Sequence, residues 1–599
     1  MKFLCVVILF ISICFVNVHA AEPYRGLVRD FVGINSNVGA YDAQIVGRLA
    51  KVALWMREYH RWEFYEQKEN VYGWDDKTPA FNGGSWPFHT KFVQECVKNQ
   101  INMVICTERS TEWASVNGEW NGPPYRDSDG TTEADYRDKA EFIAQMVARY
   151  GAQKVDAEQL QTADKLSGLN VVHYYEDENE PDQWWWQPTW PAPLYAQYLN
   201  AVHDGYNVPP MEEYPLIGIK NVDSTAVHVL GGVTGSDISY LDQIMLNTDG
   251  RTPFDIINFH HYCTSGSSAR PPEDEQYGLE KICAAFLNWR DKHTPGLPVW
   301  CSEFGWDTFK STQGASSYVY ATEQSQANYL LRSIFLLMSY GLEKAFVFFD
   351  VDPSSEDATQ YSSSGIMTDK NHGLRPKISF YYLATLQNLV GDYSFDHVHS
   401  YRQGNPEVYA FALKSSTESN KFCYVVWCRK AKARADEGAV LTDYRFALPG
   451  IQAASVFEPV NQNEFGQEVM ATLESPGSEN SSILLPQLSE KPLFIFVTLD
   501  PTSSVSSNHR TPQEFGLAAF PNPFNSSVTI EVILSREDDV NLSLYDISGR
   551  LVRQHRQYWG AGRQCMRMDF KDENLSTGVY LLDLQSGDIR RQQKICYIR

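Results

Sequence analysis

The sequence predicts an α/β chain: a (β/α)8 TIM barrel followed by a β-sandwich domain and a C-terminal Ig-like β-sandwich. Three observations carry this. Between residue 29 and about 350, eight short apolar runs alternate with stretches of helical periodicity, and parallel strands need such crossover helices. Beyond residue 385 the helical periods give way to short alternating strands. A chain of 599 residues also has room for roughly four domains of ~150 residues, which excludes a single small module.

The elements follow in order. Residues 1–20 read as a signal peptide: Lys2 supplies the positive end, Phe3 to Val16 an apolar run, and Val18-His19-Ala20 a small-residue cleavage site. No later stretch reaches ~20 continuous apolar residues, so no membrane span is expected after signal removal. The barrel is assigned to 21–385. Its strands are expected at Asp30–Asn35, Val52–Arg57, Ile101–Thr107, Asn170–Tyr175, Val227–Val233, Asp255–Tyr262, Pro298–Glu303 and Lys344–Asp350. Helices are expected at Tyr136–Tyr150, Tyr195–Tyr206, Gly278–Trp289 and Glu323–Tyr340. No GxGxxG follows the first strand, which argues against a dinucleotide-binding sheet.

Residues 386–500 form the expected accessory sandwich, with strands at Val408–Leu413, Phe422–Cys428, Ser482–Leu485 and Pro492–Leu499. Residues 501–514 are a polar, serine-rich linker. The last module, 515–599, alternates again at Ser527–Leu534, Asn541–Tyr545, Gly578–Leu584 and Gln592–Ile598.

Composition narrows the function. A net charge of −23 offers no basic face for nucleic acid. Aromatics reach 13%, with 15 Trp and 33 Tyr, which favours a surface that stacks on sugar rings. Of the 11 Cys, Cys5 and Cys14 leave with the signal, and the rest are dispersed without a CxxC pair, which argues against zinc. Cys565 with Cys596 is the bridge to test, against the alternative of small buried hydrophobes.

Two acidic segments lie at strand ends: Glu176-Asp177-Glu178-Asn179-Glu180-Pro181 after the fourth strand, and Ser302-Glu303-Phe304-Gly305-Trp306 at the seventh. In a barrel such ends converge on one mouth. Two facing carboxyl groups suit acetal hydrolysis, one protonated for the leaving oxygen and one ionised to attack or to activate water. A gap of roughly 5 Å gives retention and one of about 8 Å gives inversion, a distance the sequence leaves open. Strand alternation puts Glu176, Glu178 and Glu180 on one face, so periodicity does not choose among them.

Asn179-Glu180-Pro181 paired with Ser302-Glu303-Phe304-Gly305-Trp306 resembles the clan A glycoside hydrolases, whose catalytic glutamates lie on barrel strands four and seven. The resemblance covers residues ~25–385. It implies Glu180 as acid/base, Asn179 as the contact to the sugar 2-hydroxyl, and Glu303 as nucleophile, with retention. It further implies His260 and Tyr262 in the pocket, Tyr262 on the nucleophile. It also implies an arginine holding Glu303 ionised, for which Arg57 is the candidate and Arg61 the competitor. The strand-eight end, Phe348-Phe349-Asp350, lacks the Trp that many members place there. The Trp-rich loop Trp184-Trp185-Trp186 and Trp190 offers faces for sugars, with Trp184 and Trp306 as the named contacts and Trp113 and Trp120 as further candidates. Asp127-Ser128-Asp129-Gly130 with Glu133 lacks the full spacing of a calcium loop and reads as a turn.

In the last module, Phe520-Pro521-Asn522-Pro523-Phe524-Asn525, then Leu544-Tyr545-Asp546-Ile547-Ser548-Gly549-Arg550, then Ser576-Thr577-Gly578-Val579-Tyr580, resemble the C-terminal sorting domains of the bacterial type IX secretion pathway. That implies the secretion machinery as a partner, and a secreted or bacterial cell-surface location. The expected function is a secreted retaining glycoside hydrolase cleaving β-glycosidic bonds of a polysaccharide or oligosaccharide by double displacement, with no metal or organic cofactor. The alternative is a non-catalytic carbohydrate-binding or surface-adhesion protein on the same barrel.

Overall fold

The computed structural model describes residues 23–36, 43–73, 89–234, 238–266, 268–309, 320–500, 516–520, 524, 527–534, 538–559, 562–570, 575–586 and 589–598. The expected signal peptide, the linker 501–514 and the side chain of Cys565 lie outside them. Two compact units divide the chain: Met1–Asp396 with Arg402–Ser503, and His397–Tyr401 with Ser504–Arg599.

The first unit opens with the barrel. Its strands are β1 Val32–Ser36, β2 Trp55–Tyr59, β3 Asn102–Thr107, β4 Tyr174–Asn179, β5 Val227–Gly232, β6 Ile257–His260, β7 Val299–Phe304 and β8 Lys344–Val347. After them, in the same order, come α1 Ala43–Leu49, α2 His89–Lys98, α3 Arg137–Tyr150, α4 Ala192–Asp204, α5 Ser239–Leu246, α6 Leu279–His293, α7 Glu323–Tyr340 and α8 Ile378–Val390. All pairings from β6 through β7, β8 and β1 round to β5 are parallel. Bridges Val229–Ile256 and Val233–Phe259 close the ring. Strands β1 and β7 are buried along their whole length, because helices cover one face and barrel side chains the other. Gly33 makes room on β1: a Cβ there would lie 2.2 Å from the Phe346 ring.

The strand limits differ from expectation where acidic residues were involved. The fourth strand runs Tyr174–Asn179, not Asn170–Tyr175. Its acidic residues are strand residues because each meets a remote partner: Glu176 with Arg57 at 2.6 Å, Asp177 with the His228 imidazole at 3.1 Å, Glu178 with Lys139 at 2.7 Å. Asp30 begins no strand; Val28–Phe31 is a helical turn. Strand six stops at His260, so Tyr262 stands beyond it. Helix α7 matches its expected span, with Thr322 accepting from Ser325 N–H at its start and Gly341, at φ 88°, ending it.

Helix α8 runs through the boundary expected at 385/386 and leads into the sandwich. A six-stranded antiparallel sheet that includes Glu407–Ser415, Lys421–Arg429 and Leu493–Leu499 faces a three-stranded one built on Ser482–Ser489. Tyr424, Val426 and Ile495 fill the space between them with Phe446 and Ile483. The alternate residue Trp427 points the other way, its indole N–H donating to Glu273 of the barrel at 3.0 Å. Arg332 of α7 completes this joint. Fully buried, it ion-pairs with Glu273 at 2.9 Å and with Asp436 at 3.0 Å, and donates to the Glu490 carbonyl at 3.1 Å.

The second unit is a β-sandwich. Gly516–Phe520, Ser527–Leu534 and Gly562–Asp569 form one sheet; Leu551–Trp559, Asp538–Tyr545, Gly578–Ser586 and Ile589–Tyr597 form the other. Val528, Ile530, Leu542, Leu544, Leu582 and Leu584 share its core. Among the described residues, no helix is long and apolar enough to cross a membrane. Cys96, Cys106, Cys263, Cys283, Cys301, Cys423 and Cys428 are free and buried.

The barrel–sandwich joint is testable. Arg332→Met leaves Glu273 buried beside one neutral donor, and breaking a buried pair this way costs about 3–5 kcal/mol. Denaturant unfolding should show that loss, and a loss below about 1 kcal/mol would mean the joint does not depend on the ion pair.

Candidate active site

Arg57 organises the C-terminal mouth of the barrel. It sits in the middle of β2, with no exposed surface. Its Nε and Nη2 grip both Glu176 oxygens at 2.6 and 2.8 Å, a bidentate pairing. Nη1 donates to Glu303 Oε1 at 2.9 Å and to Asn35 Oδ1 at 2.9 Å; Nη2 also donates to Asn179 Oδ1 at 2.8 Å. Burial disfavours its charge, but Glu176 and its other neighbours hold the guanidinium firmly protonated.

Glu303 lies on β7. The Tyr59 hydroxyl donates to Oε1 at 2.5 Å and the Tyr262 hydroxyl to Oε2 at 2.7 Å. Burial pushes this carboxyl up. The charges of His260 and Arg57 and the two tyrosine hydrogen bonds outweigh it, so Glu303 is held below the usual carboxylate range. Glu180, one residue past β4, behaves oppositely. Burial and the nearby Glu303 charge raise its pKa, only partly opposed by His260, whose Nδ1 lies 2.8 Å from Oε1. His260 Nε2 is 2.9 Å from the Ser302 hydroxyl. The imidazole lies against Gly232, where any Cβ would sit 2.0 Å from Nε2.

A carboxylate oxygen of Glu180 and one of Glu303 lie within 4.8 Å of each other and of a His260 nitrogen. A metal bound by these three would compete with the Arg57 guanidinium on Glu303 Oε1, so the donor set suits proton sharing better than a cation. Both carboxyls open onto a cleft of about 470 Å³. Tyr59, Trp185, Phe348, Phe349 and Tyr361 give it aromatic walls, and Arg61 lines one side.

Six of the sequence-derived residues therefore meet at one place: Glu180, Glu303, Asn179, Arg57, His260 and Tyr262. Arg61 is not the residue on Glu303; its Nε donates to Glu108 at 3.0 Å. Two tryptophans do not meet the cleft. Trp306 is 3% exposed, packs on Tyr329 at 5.2 Å and donates to the Arg270 carbonyl, because the chain turns inward after Gly305. Trp184 is 76% exposed and stands edge-on to Trp185, which takes the wall position instead. Trp186 and Trp190 are buried under the loop. Trp113 packs on Trp62, and Trp120 lies beneath Arg109. Asp129 caps a turn through Thr131. Sequence reasoning missed Tyr59 and Tyr361, and it placed Glu176 on a face with Glu178 and Glu180 without finding its pairing with Arg57. Alternation from Arg57 would have found Tyr59; Tyr361 comes from a loop with no local signal.

The comparisons with known proteins divide along the chain. Residues 518–598 match the model of the secretion system C-terminal sorting domain. This tail is a sorting domain. It marks the chain for export, as its motifs led one to expect, to a secreted or cell-surface location. No curated protein matches the chain. Among solved structures, the chain is similar to the glycoside hydrolase family 30 subfamily 8 xylanase Xyn30A from Clostridium acetobutylicum, with 12% identity, a TM-score of 0.48, and coverage of 80% of this chain and 97% of that one. It is similar to the catalytic domain of GH30 xylanase C from Talaromyces cellulolyticus at 11% identity and TM-score 0.47, covering 80% and 98%. It is also similar to an α-L-arabinofuranosidase from Thermotoga maritima at 12% identity and TM-score 0.47, covering 80% and 98%.

The charge network predicts a pH signature. A carboxyl held low in the fold, as Glu303 is, adds stability above its unfolded pKa of about 4.3 that is lost as pH falls through the folded value. Arg57→Met leaves Glu176 buried without its cation and takes from Glu303 one of the two charges that hold it low, so burial raises Glu303 against His260 and the two tyrosine hydroxyls alone. Groups raised in the fold stabilise at low pH, and that stability is lost as pH rises through the folded value. The variant should therefore lose about 3–5 kcal/mol near pH 7 and close part of the gap near pH 4. A gap that stays constant across that range in denaturant unfolding would contradict the assignment.

Proposed function

We propose that the chain is an exported retaining glycoside hydrolase that cleaves β-glycosidic bonds of a polysaccharide or oligosaccharide by double displacement. The observation that carries the reading is the pair Glu180 and Glu303, with oxygens within 4.8 Å and pKa values pushed in opposite directions. That close approach of one oxygen from each carboxyl supports the roughly 5–5.5 Å separation of covalent mechanisms over the ~6.5–9.5 Å that accommodates a water.

In the first step protonated Glu180 gives its proton to the leaving oxygen while a Glu303 oxygen bonds to the anomeric carbon. Arg57, Tyr59 and Tyr262 fix the attacking carboxylate in place. Ester formation then removes the Glu303 charge, one of the causes that holds Glu180 up. Glu180 accordingly becomes a better base and takes a proton from water, whose oxygen bonds to the anomeric carbon as the bond from that carbon to Glu303 breaks and frees the carboxylate. His260, between Glu180 and Ser302, orients the Glu180 carboxyl through both steps. Asn179, steadied by Arg57, presents its amide to a sugar hydroxyl, and Trp185 and Tyr361 offer stacking faces.

The test is sugar release from a panel of β-linked polysaccharides, with the product anomer read by NMR. Wild type should release product of retained configuration, and Glu303→Gln should lose about 10³-fold or more in kcat. The kcat/KM profile should be bell-shaped, its acidic limb below about 4.3 from Glu303 and its basic limb above that value from Glu180. Binding without turnover by wild type would favour a carbohydrate-binding protein. An inverted product would contradict the double displacement.

A further inference from the structure

We propose that Lys139 is a positioning residue for the Glu180 carboxyl, acting through Glu178; the proposal rests on the reading of Glu180 as acid/base. Lys139 lies on α3, fully buried, and the mechanism above does not use it. Its ammonium ion-pairs with Glu178 Oε1 at 2.7 Å and donates to the Arg109 carbonyl at 2.8 Å and the Thr107 carbonyl at 3.2 Å. Glu178 Oε2 in turn accepts the Arg109 N–H at 2.8 Å. The pair therefore clamps the exit of β3 to β4.

The clamp changes which side chains of β4 face the cleft. Glu176 points inward to Arg57. Regular alternation would then send Glu178 and Glu180 inward and Asn179 outward. Instead the backbone turns left-handed at Glu178, with φ 68°, and its carboxyl leaves for α3. Asn179 takes the inward place and reaches Arg57. Glu180, also left-handed at φ 50°, follows directly and reaches His260. Two adjacent residues thus face the same cleft, which an ordinary strand does not allow. A left-handed conformation at a residue other than glycine is unfavourable and persists only where the surroundings hold it. Lys139 is the buried cation that holds Glu178 in it.

A displaced acid/base has a kinetic signature. It slows substrates whose leaving group needs a proton and spares those whose leaving group departs unaided. The probes are phenyl and 2,4-dinitrophenyl β-glycosides of the oligosaccharide that wild type releases. Lys139→Met should lose up to about 10²-fold in kcat/KM on the phenyl glycoside and no more than about threefold on the dinitrophenyl one. The double variant Lys139→Met, Glu178→Met removes both charges, so it carries no unpaired buried carboxylate, and it decides the matter if the single variant does not fold. It should show the same discrimination with an unchanged circular dichroism spectrum. Equal losses on both substrates, or none on either, would overturn the positioning role while leaving Glu180 as acid/base. A wild type that hydrolyses neither would remove the acid/base reading itself, and the proposal with it.

Discussion

The site depends on one buried cation. Arg57 lies in the barrel interior, where an unpaired guanidinium would be prohibitively costly. Glu176 neutralises it through two parallel hydrogen bonds, and the remaining N–H groups are committed to Glu303, Asn35 and Asn179. Those commitments place four strands relative to one another: β2 holds the cation, β1 Asn35, β4 the counter-charge and β7 the carboxylate that stays ionised. Remove the charge and Glu303 keeps only His260 and two tyrosine hydroxyls to hold it ionised.

A second constraint follows from the first. With Glu176 occupied by Arg57, the acidic run on β4 must find separate partners for each carboxyl. Asp177 goes to His228 and Glu178 to Lys139. Glu180 faces His260 and the cleft. Its raised pKa is the consequence of burial near another carboxylate without an arginine of its own. Opposite protonation preferences therefore arise from the distribution of cations around two otherwise identical side chains. The sandwich contributes at a distance, holding α7 and the loop after β6 together through Arg332, Glu273 and Trp427.

Much of this was legible in the sequence. Eight alternating strand and helix signals sufficed for the barrel, and the motifs around Glu180 and Glu303 for the pair. Arg57 was reached only through the resemblance, with Arg61 as its competitor. The limits of β4 were not legible, because Glu176, Asp177 and Glu178 read as a loop until their partners, each far away in sequence, are known. The phase change at Glu178 was illegible for the same reason: local alternation cannot register a salt bridge to another helix. Tryptophan faces were equally opaque. Trp185 and Trp306 look alike in sequence, and only the direction of the chain after β4 and β7 decides that one lines a cleft and the other a core.

The account's central claim is that Glu303, kept ionised by Arg57, forms a bond to the sugar. Mass spectrometry of the protein incubated with an activated 2-deoxy-2-fluoro glycoside tests it most directly, because the fluorine slows turnover of an ester once formed. The account predicts one glycosyl adduct per chain, located on the peptide that carries Glu303 and absent from Glu303→Gln. An adduct on a different carboxylate, or continued hydrolysis of natural substrate with no adduct at all, would contradict it.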